Sequence, residues 1–144
     1  MDTIEKIKGK AKKDLQRIVL PESTDSRMLK AAARVVQEGT AELTLTGNPE
    51  EIQSAAKENQ VSLDGIEILD HQNADDFDEY VDEYVELRKH KGMTPEKAKQ
   101  IISDPLFYSA MMIRKGQRDG MVAGAVNSTA NVLRSTIQIV GLAK

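Results

Sequence analysis

A chain of 144 residues, 40% hydrophobic and 30% charged, has the makeup of one globular domain large enough to bury a core. A net charge of −3, 3% aromatic residues and no Trp argue against a nucleic-acid partner, and the absence of Cys excludes disulfides, thiolate metal sites and a thiol nucleophile. His71 and His90 lie far apart without a ligand-spaced set of acids, so no metal is expected; no apolar run spans a membrane or forms a signal peptide, and the expected location is the cytoplasm.

Ile4, Ile7, Ala11 and Leu15 recur at helical spacing, and Lys6, Lys8, Lys10, Lys12 and Lys13 between them predict a first helix with a basic, solvated outer face. The run Arg17-Ile-Val-Leu20, closed by Pro21, predicts a buried strand. Glu22 to Ser26 offers several N-caps to a helix carrying Met28, Leu29, Ala32, Val35 and Val36, which Gly39 stops. Glu42 to Thr46 alternates around Leu43 and Leu45 and predicts a second strand. Asn48 as N-cap and Pro49 at the first helical position predict a helix with Ile52, Ala55 and Ala56 facing inward. Ile66 to Leu69 is a third strand. Strands alternating with helices imply an α/β fold with a largely parallel sheet flanked by helices, in which ligands sit at the carboxyl ends of the strands.

The middle of the chain is acidic. Phe77, Tyr80, Val81, Tyr84, Val85 and Leu87 fit the buried side of an amphipathic helix, and Asp75, Asp76, Asp78, Glu79, Asp82, Glu83 and Glu86 fit its wet face rather than paired-carboxylate catalysis. Arg88-Lys-His-Lys91 closes that helix before Gly92, where cations suit the helix dipole. Thr94-Pro95 starts a helix buried through Ala98, Ile101 and Ile102. Asp104-Pro105 starts another with Leu106, Phe107, Ala110, Met111 and Ile113 on its apolar face, ending at Gly116.

From Asp119 to Gly141 the order of residues reads as strand, turn and helix. An apolar, glycine-dotted start is followed by Asn127, Ser128 and Thr129, then by Val132, Leu133, Ile137 and Val140 at helical spacing. Hydroxyls and N–H groups at a helix start suit a phosphate or another anion, and the same pattern also serves a plain N-cap. Arg134 lies near that end of the helix.

Several pieces together resemble one family: Arg17-Ile-Val-Leu-Pro-Glu22 with Asp25 and Arg27; Glu86-Leu-Arg-Lys-His-Lys-Gly92; Asp104 with Phe107 and Met111-Met112; and Asp119-Gly-Met-Val-Ala-Gly124 running on through Ser128-Thr129, Leu133-Arg134 and Gln138-Ile-Val140. In order and spacing they resemble the N-terminal part of the phosphate acetyltransferases, in the phosphate acetyl/butyryltransferase group. The resemblance implies the first domain of an isocitrate/isopropylmalate dehydrogenase-like α/β fold, incomplete here, in a two-domain protein that is usually a homodimer with its site between the domains. It implies acetyl transfer between coenzyme A and inorganic phosphate, so the small-molecule substrates are CoA or acetyl-CoA and phosphate or acetyl phosphate, with no metal, redox cofactor, nucleic acid or membrane involved. Arg88 and Arg134 are implied to hold CoA near its 3′-phosphate, and guanidinium groups suit that task. Ser128 and Thr129 become candidate donors to a phosphate or acyl oxygen.

Two departures from the family pattern stand out. Asn127 replaces a common His, so no acid–base role carries over to it, and Ser23 replaces a common Gly after the Pro-Glu pair. The serine, arginine and aspartate to which the family's catalysis is attributed lie near its far C-terminus. The expectation is therefore an N-terminal domain over 1–144, without the second domain and C-terminal segment, inactive alone and carrying an exposed sheet edge or apolar face. The alternatives are a non-catalytic CoA- or phosphate-binding module and a partner domain for a separately encoded remainder.

Overall fold

The computed structural model describes residues 2–141; the ends of the expected 1–144 domain lie outside them. Four parallel strands form one sheet: β1 (Arg17–Leu20), β2 (Glu42–Thr46), β3 (Glu67–Leu69) and β4 (Gly120–Met121), in spatial order β3-β2-β1-β4. β1 lies at the centre, with Ile18 opposite both Leu43 and Gly120. Successive side chains of a strand point to opposite faces. Leu20 accordingly joins Leu43 and Leu45 in a core with Leu29, Ala32 and Ile52, under helices α2 (Ser26–Glu38) and α3 (Pro49–Glu58). Val19 faces the other way, into the larger core of α4 (Phe77–Arg88), α5 (Pro95–Ile102) and α6 (Pro105–Arg114). Helices thus cover both faces of a parallel sheet, as its hydrophobic strands require.

The caps follow the sequence. Asp25, Asn48, Thr94 and Asp104 each accept backbone N–H groups at the starts of α2, α3, α5 and α6. Pro at the first turn costs those last three helices no hydrogen bond. Gly39 closes α2 at φ 70°, a left-handed conformation that glycine adopts without penalty.

Four elements differ from the sequence reading. Helix α1 (Thr3–Lys13) forms, but it buries no residue: Ile4 is 64% and Ile7 61% exposed, and Lys8 paired with Glu38 at 3.1 Å ties it to the body. β2 is buried from Leu43 through Thr46 rather than on alternate residues, because both of its faces are covered. β3 begins at Glu67, one residue later than expected. α6 is buried from Leu106 to Met112 on every side, so Tyr108 and Ser109 are buried with the apolar set.

Candidate functional site at the carboxyl ends of the strands

The carboxyl ends of β1, β2 and β4 lead into Pro21-Glu22-Ser23, Gly47-Asn48 and residues 122–128. Glu22 is buried at 6% exposure, and no apolar reason places a carboxylate there. Its polar surroundings explain it. One oxygen accepts the backbone N–H groups of Gly124 and Ala125, each at 2.8 Å; the other accepts those of Val126 at 2.7 Å and Asn127 at 2.6 Å, and the Asn127 amide at 3.1 Å. Burial pushes the Glu22 carboxyl upward, but the four backbone donors outweigh it and hold the group below the usual carboxylate range. Arg27 braces the same turn by donating to the Ala125 carbonyl and pairing with Asp25. Beside it, the Ser23 hydroxyl donates to the Thr46 carbonyl at 2.8 Å, and a cleft of about 210 Å³ opens between Glu22, Ser23, Asn48, Asp104 and Asn127.

The turn therefore differs from the open anion seat that the sequence suggests. β4 ends at Met121, and the N–H groups that follow are already occupied by a carboxylate of the protein itself. Asn127 is engaged with Glu22 through both backbone and side chain. The Ser128 hydroxyl accepts the Asn131 N–H at 3.1 Å as the N-cap of α7 (Thr129–Ser135), and Thr129 lies exposed at its first position.

Arg134 stands exposed on α7, with one bond at 3.1 Å to the Asn131 side chain. Arg88 is the last residue of α4; it is half-buried, and its Nε is buried without a hydrogen-bond partner among the described residues. The Tyr84 phenol feels the charge of both. Its hydroxyl donates to the Gln138 side-chain oxygen at 2.9 Å. Burial pushes that hydroxyl's pKa up, while the positive charges of Arg88 and Arg134 both pull it down. Two guanidinium groups from separate helices thus act on one buried phenol. Asn127 precedes, Ser128 caps and Thr129 opens the helix that carries Arg134, and Arg88 ends a different helix.

Beyond α7 the helix widens into π geometry over Thr136–Val140, with Gly141 N–H bonded to the Thr136 carbonyl at 2.8 Å. The cause is local. The Ser135 and Thr136 hydroxyls both donate to the Val132 carbonyl, at 2.8 and 2.9 Å, and such back-bonding competes with the regular ladder. Arg114 donates to the Ile139 carbonyl at 3.1 Å. The wider turn sends Ile139 into the core and Gln138 toward Tyr84. Leu133, Ile137 and Val140, which the helical spacing predicts to be inward-facing, are exposed instead, along with Val122 and Val126.

At the opposite, amino end of the sheet lie structural ion pairs. Arg17 meets Asp119 through two guanidinium nitrogens, and the Arg17 side-chain and backbone donors hold the Asp119 carboxyl well below its ordinary value, at about 2. Arg118 links Thr44 and Glu67. Among the described residues no group of three or more His, Asp or Glu could hold a metal ion, and no helix is long and apolar enough to cross a membrane.

Sequence reasoning missed three residues of this region. Glu22 was noted only as part of a motif; an acid directly after the proline that closes a buried parallel strand was the available signal. Tyr84 and Gln138 were hidden among apolar helix positions, and nothing in their spacing announced that they would meet.

The family model described as "Phosphate acetyl/butaryl transferase" matches residues 2–144. The phosphate acetyltransferase of Acetivibrio thermocellus is 50% identical over 139 residues, covering 96% of this chain and 41% of that protein. That of Thermoanaerobacterium thermosaccharolyticum is 45% identical over 140 residues, covering 97% and 42%. Among solved structures, the EutD phosphotransacetylase from Staphylococcus aureus aligns with a TM-score of 0.84 at 29% identity, over 96% of this chain and 42% of that one. A phosphotransacetylase from Streptococcus pyogenes aligns at 0.83 and 32% identity, over 96% and 43%. The chain therefore spans about two-fifths of the length of these relatives.

Proposed function

The chain belongs to the phosphate acetyl/butaryl transferase family, and from that premise we propose that it forms one wall of a site in which an acetyl group passes between coenzyme A and inorganic phosphate. In the direction of acetyl-CoA formation, the CoA thiolate sulfur bonds to the acetyl carbon of acetyl phosphate. The carbon–oxygen bond to phosphate then breaks, and its electron pair leaves on the phosphate. The thiol proton needs a base, and Glu22 does not suit that role: its oxygens already receive five donors, and its proton affinity is lowered. The base is assigned to the remainder of a longer, two-domain enzyme, and residues 1–144 alone are proposed to be inactive.

The part assigned to this wall is anion binding. The observation that supports it is the half-buried Arg88 guanidinium, whose Nε has no partner within the described residues. A guanidinium left with unspent donors in a half-buried place suits a phosphate. Ser128 and Thr129 stand at the entrance of the same helix, with hydroxyls able to reach a phosphate or acyl oxygen.

The test replaces the matching segment of the Acetivibrio thermocellus enzyme with this chain and follows acetyl-CoA formation beside the 144-residue chain alone. Turnover is expected only from the chimera. In it, Arg88→Ala and Arg134→Ala are each expected to raise KM for CoA about tenfold or more, the loss of a charged hydrogen bond being worth about 1.5–3 kcal/mol. The KM for acetyl phosphate should move much less. A larger rise for acetyl phosphate, or equal affinity for CoA and dephospho-CoA, refutes the assignment.

A further inference from the structure

Consecutive backbone N–H groups converging on one point form a nest of the kind that takes phosphate or other anions. Here the nest of residues 124–127 is filled by the carboxylate of Glu22, from the end of another strand. Apart from Arg27, which donates to the Ala125 carbonyl, and Ala123, which packs against the larger core, little else shapes this turn. β4 has ended, the Val122 N–H makes the last bond to β1 at 3.2 Å, and Val122, Gly124 and Val126 are exposed, so apolar burial does not fix the backbone. All four backbone N–H groups from Gly124 to Asn127 go to Glu22, and α7 begins two residues later.

We propose that Glu22 is the positioning residue of the substrate-facing turn: as a built-in anion it occupies the nest, shapes residues 124–127 and thereby aims the start of α7. This rests on the reading of Ser128, Thr129 and Arg134 as substrate contacts. It also sharpens that reading, because the four N–H groups of the nest are spent and a substrate phosphate has to find its donors elsewhere, among them the hydroxyl and guanidinium side chains.

The proposal is tested on the 144-residue chain by amide hydrogen exchange, with formate as a probe for the emptied seat. In Glu22→Ala, the amides of residues 124–127 are expected to exchange roughly 100-fold faster, from the loss of charge-assisted bonds. Those of β2 should stay within about threefold, the scale of a change that leaves the sheet intact. Tens of millimolar formate should restore most of the lost protection, and neutral formamide should not. Unchanged exchange at 124–127, or equal restoration by both solutes, overturns the proposal. If Glu22→Ala does not fold, Glu22→Gln carries the test. It retains one acceptor oxygen, so two of the four amides should stay protected and two should not, and uniform protection overturns the proposal.

A kinetic readout separates this inference from the one beneath it. In the chimera, Glu22→Gln is expected to raise KM for CoA severalfold, whereas simple loss of folded enzyme lowers the apparent kcat and leaves KM alone. The expected exchange pattern with an unmoved KM refutes the substrate role of the turn. Unaltered exchange refutes the positioning role of Glu22.

Discussion

Gly47 sits where β2 leaves the sheet, at φ +157° and pressed against the residue after Glu22. A Cβ added there would lie 2.6 Å from the Ser23 Oγ, with Ile52 at an ordinary 3.4 Å. Gly47→Ala can relieve that clash only if Ser23 turns away and gives up its 2.8 Å bond to the Thr46 carbonyl. A buried hydrogen bond is worth about 1 kcal/mol, and a non-glycine residue in this backbone region costs about 1–3 kcal/mol. The alanine also restricts the unfolded chain, which returns about 0.4–1 kcal/mol. The net expectation is a loss of about 1–3 kcal/mol, read as a lower urea midpoint at unchanged slope. In a Ser23→Gly background, the clash and the hydrogen bond are both gone, so only the backbone part remains. The double-mutant cycle should therefore show a coupling of about 1 kcal/mol. A coupling below about 0.3 kcal/mol, the scatter of independent sites, refutes the account. It would mean that Ser23 and Gly47 do not constrain each other, and that the serine standing where the family commonly has glycine is mechanically idle.

Ile102 is fully buried and Ile7 is 61% exposed. Ile102→Ala should cost about 2–5 kcal/mol, and Ile7→Ala no more than about 0.5 kcal/mol; equal losses would show that α1 packs against the body. The Asp119 carboxyl is held down at about 2, so its contribution is present in full above its unfolded value and is lost as pH falls through about 2. Asp119→Asn should therefore flatten the acid limb of the stability profile between about pH 4 and 2, a window set by the unfolded and folded values; an unchanged limb would show that the pair with Arg17 adds nothing there. Tyr84→Phe removes the donor to Gln138 and should raise KM for CoA in the chimera by a few fold, since it unties α4, which ends at Arg88, from the segment that continues the helix of Arg134. An unchanged KM would separate the phenol from ligand binding.

Much of the fold was legible because its signals are local. Asn48-Pro49, Thr94-Pro95 and Asp104-Pro105 each place a cap and a proline where only a helix start uses both, and Gly39 ends α2 in a left-handed conformation that other residues rarely adopt. The parallel sheet followed from the alternation of such helices with short apolar runs. What was not legible depends on partners distant in the chain. The pattern of α6 cannot say how many neighbours surround it, so Tyr108 and Ser109 gave no sign of burial. α1 has the periodicity of a packed helix but buries none of its residues. The turn before α7 carried the marks of an anion site, and it does hold an anion; the sequence could not show that the anion is Glu22. Arg88 and Arg134 were named by resemblance, and the link between their helices, Tyr84 to Gln138, depends on how α4 meets the π segment after α7.

The π segment after α7 makes spacing in this part of the chain unforgiving. It shifts the rotational phase of the residues that follow, which is why Ile139 rather than Ile137 reaches the core and why Gln138 can meet the phenol of α4. Removing one residue between Thr136 and Gln138 would keep the later side chains near their present bearing only if the wide turn also narrowed to the regular pitch, since a π turn holds one residue more than an α turn. Alignments that place a single-residue gap there would be comparing helices of different screw.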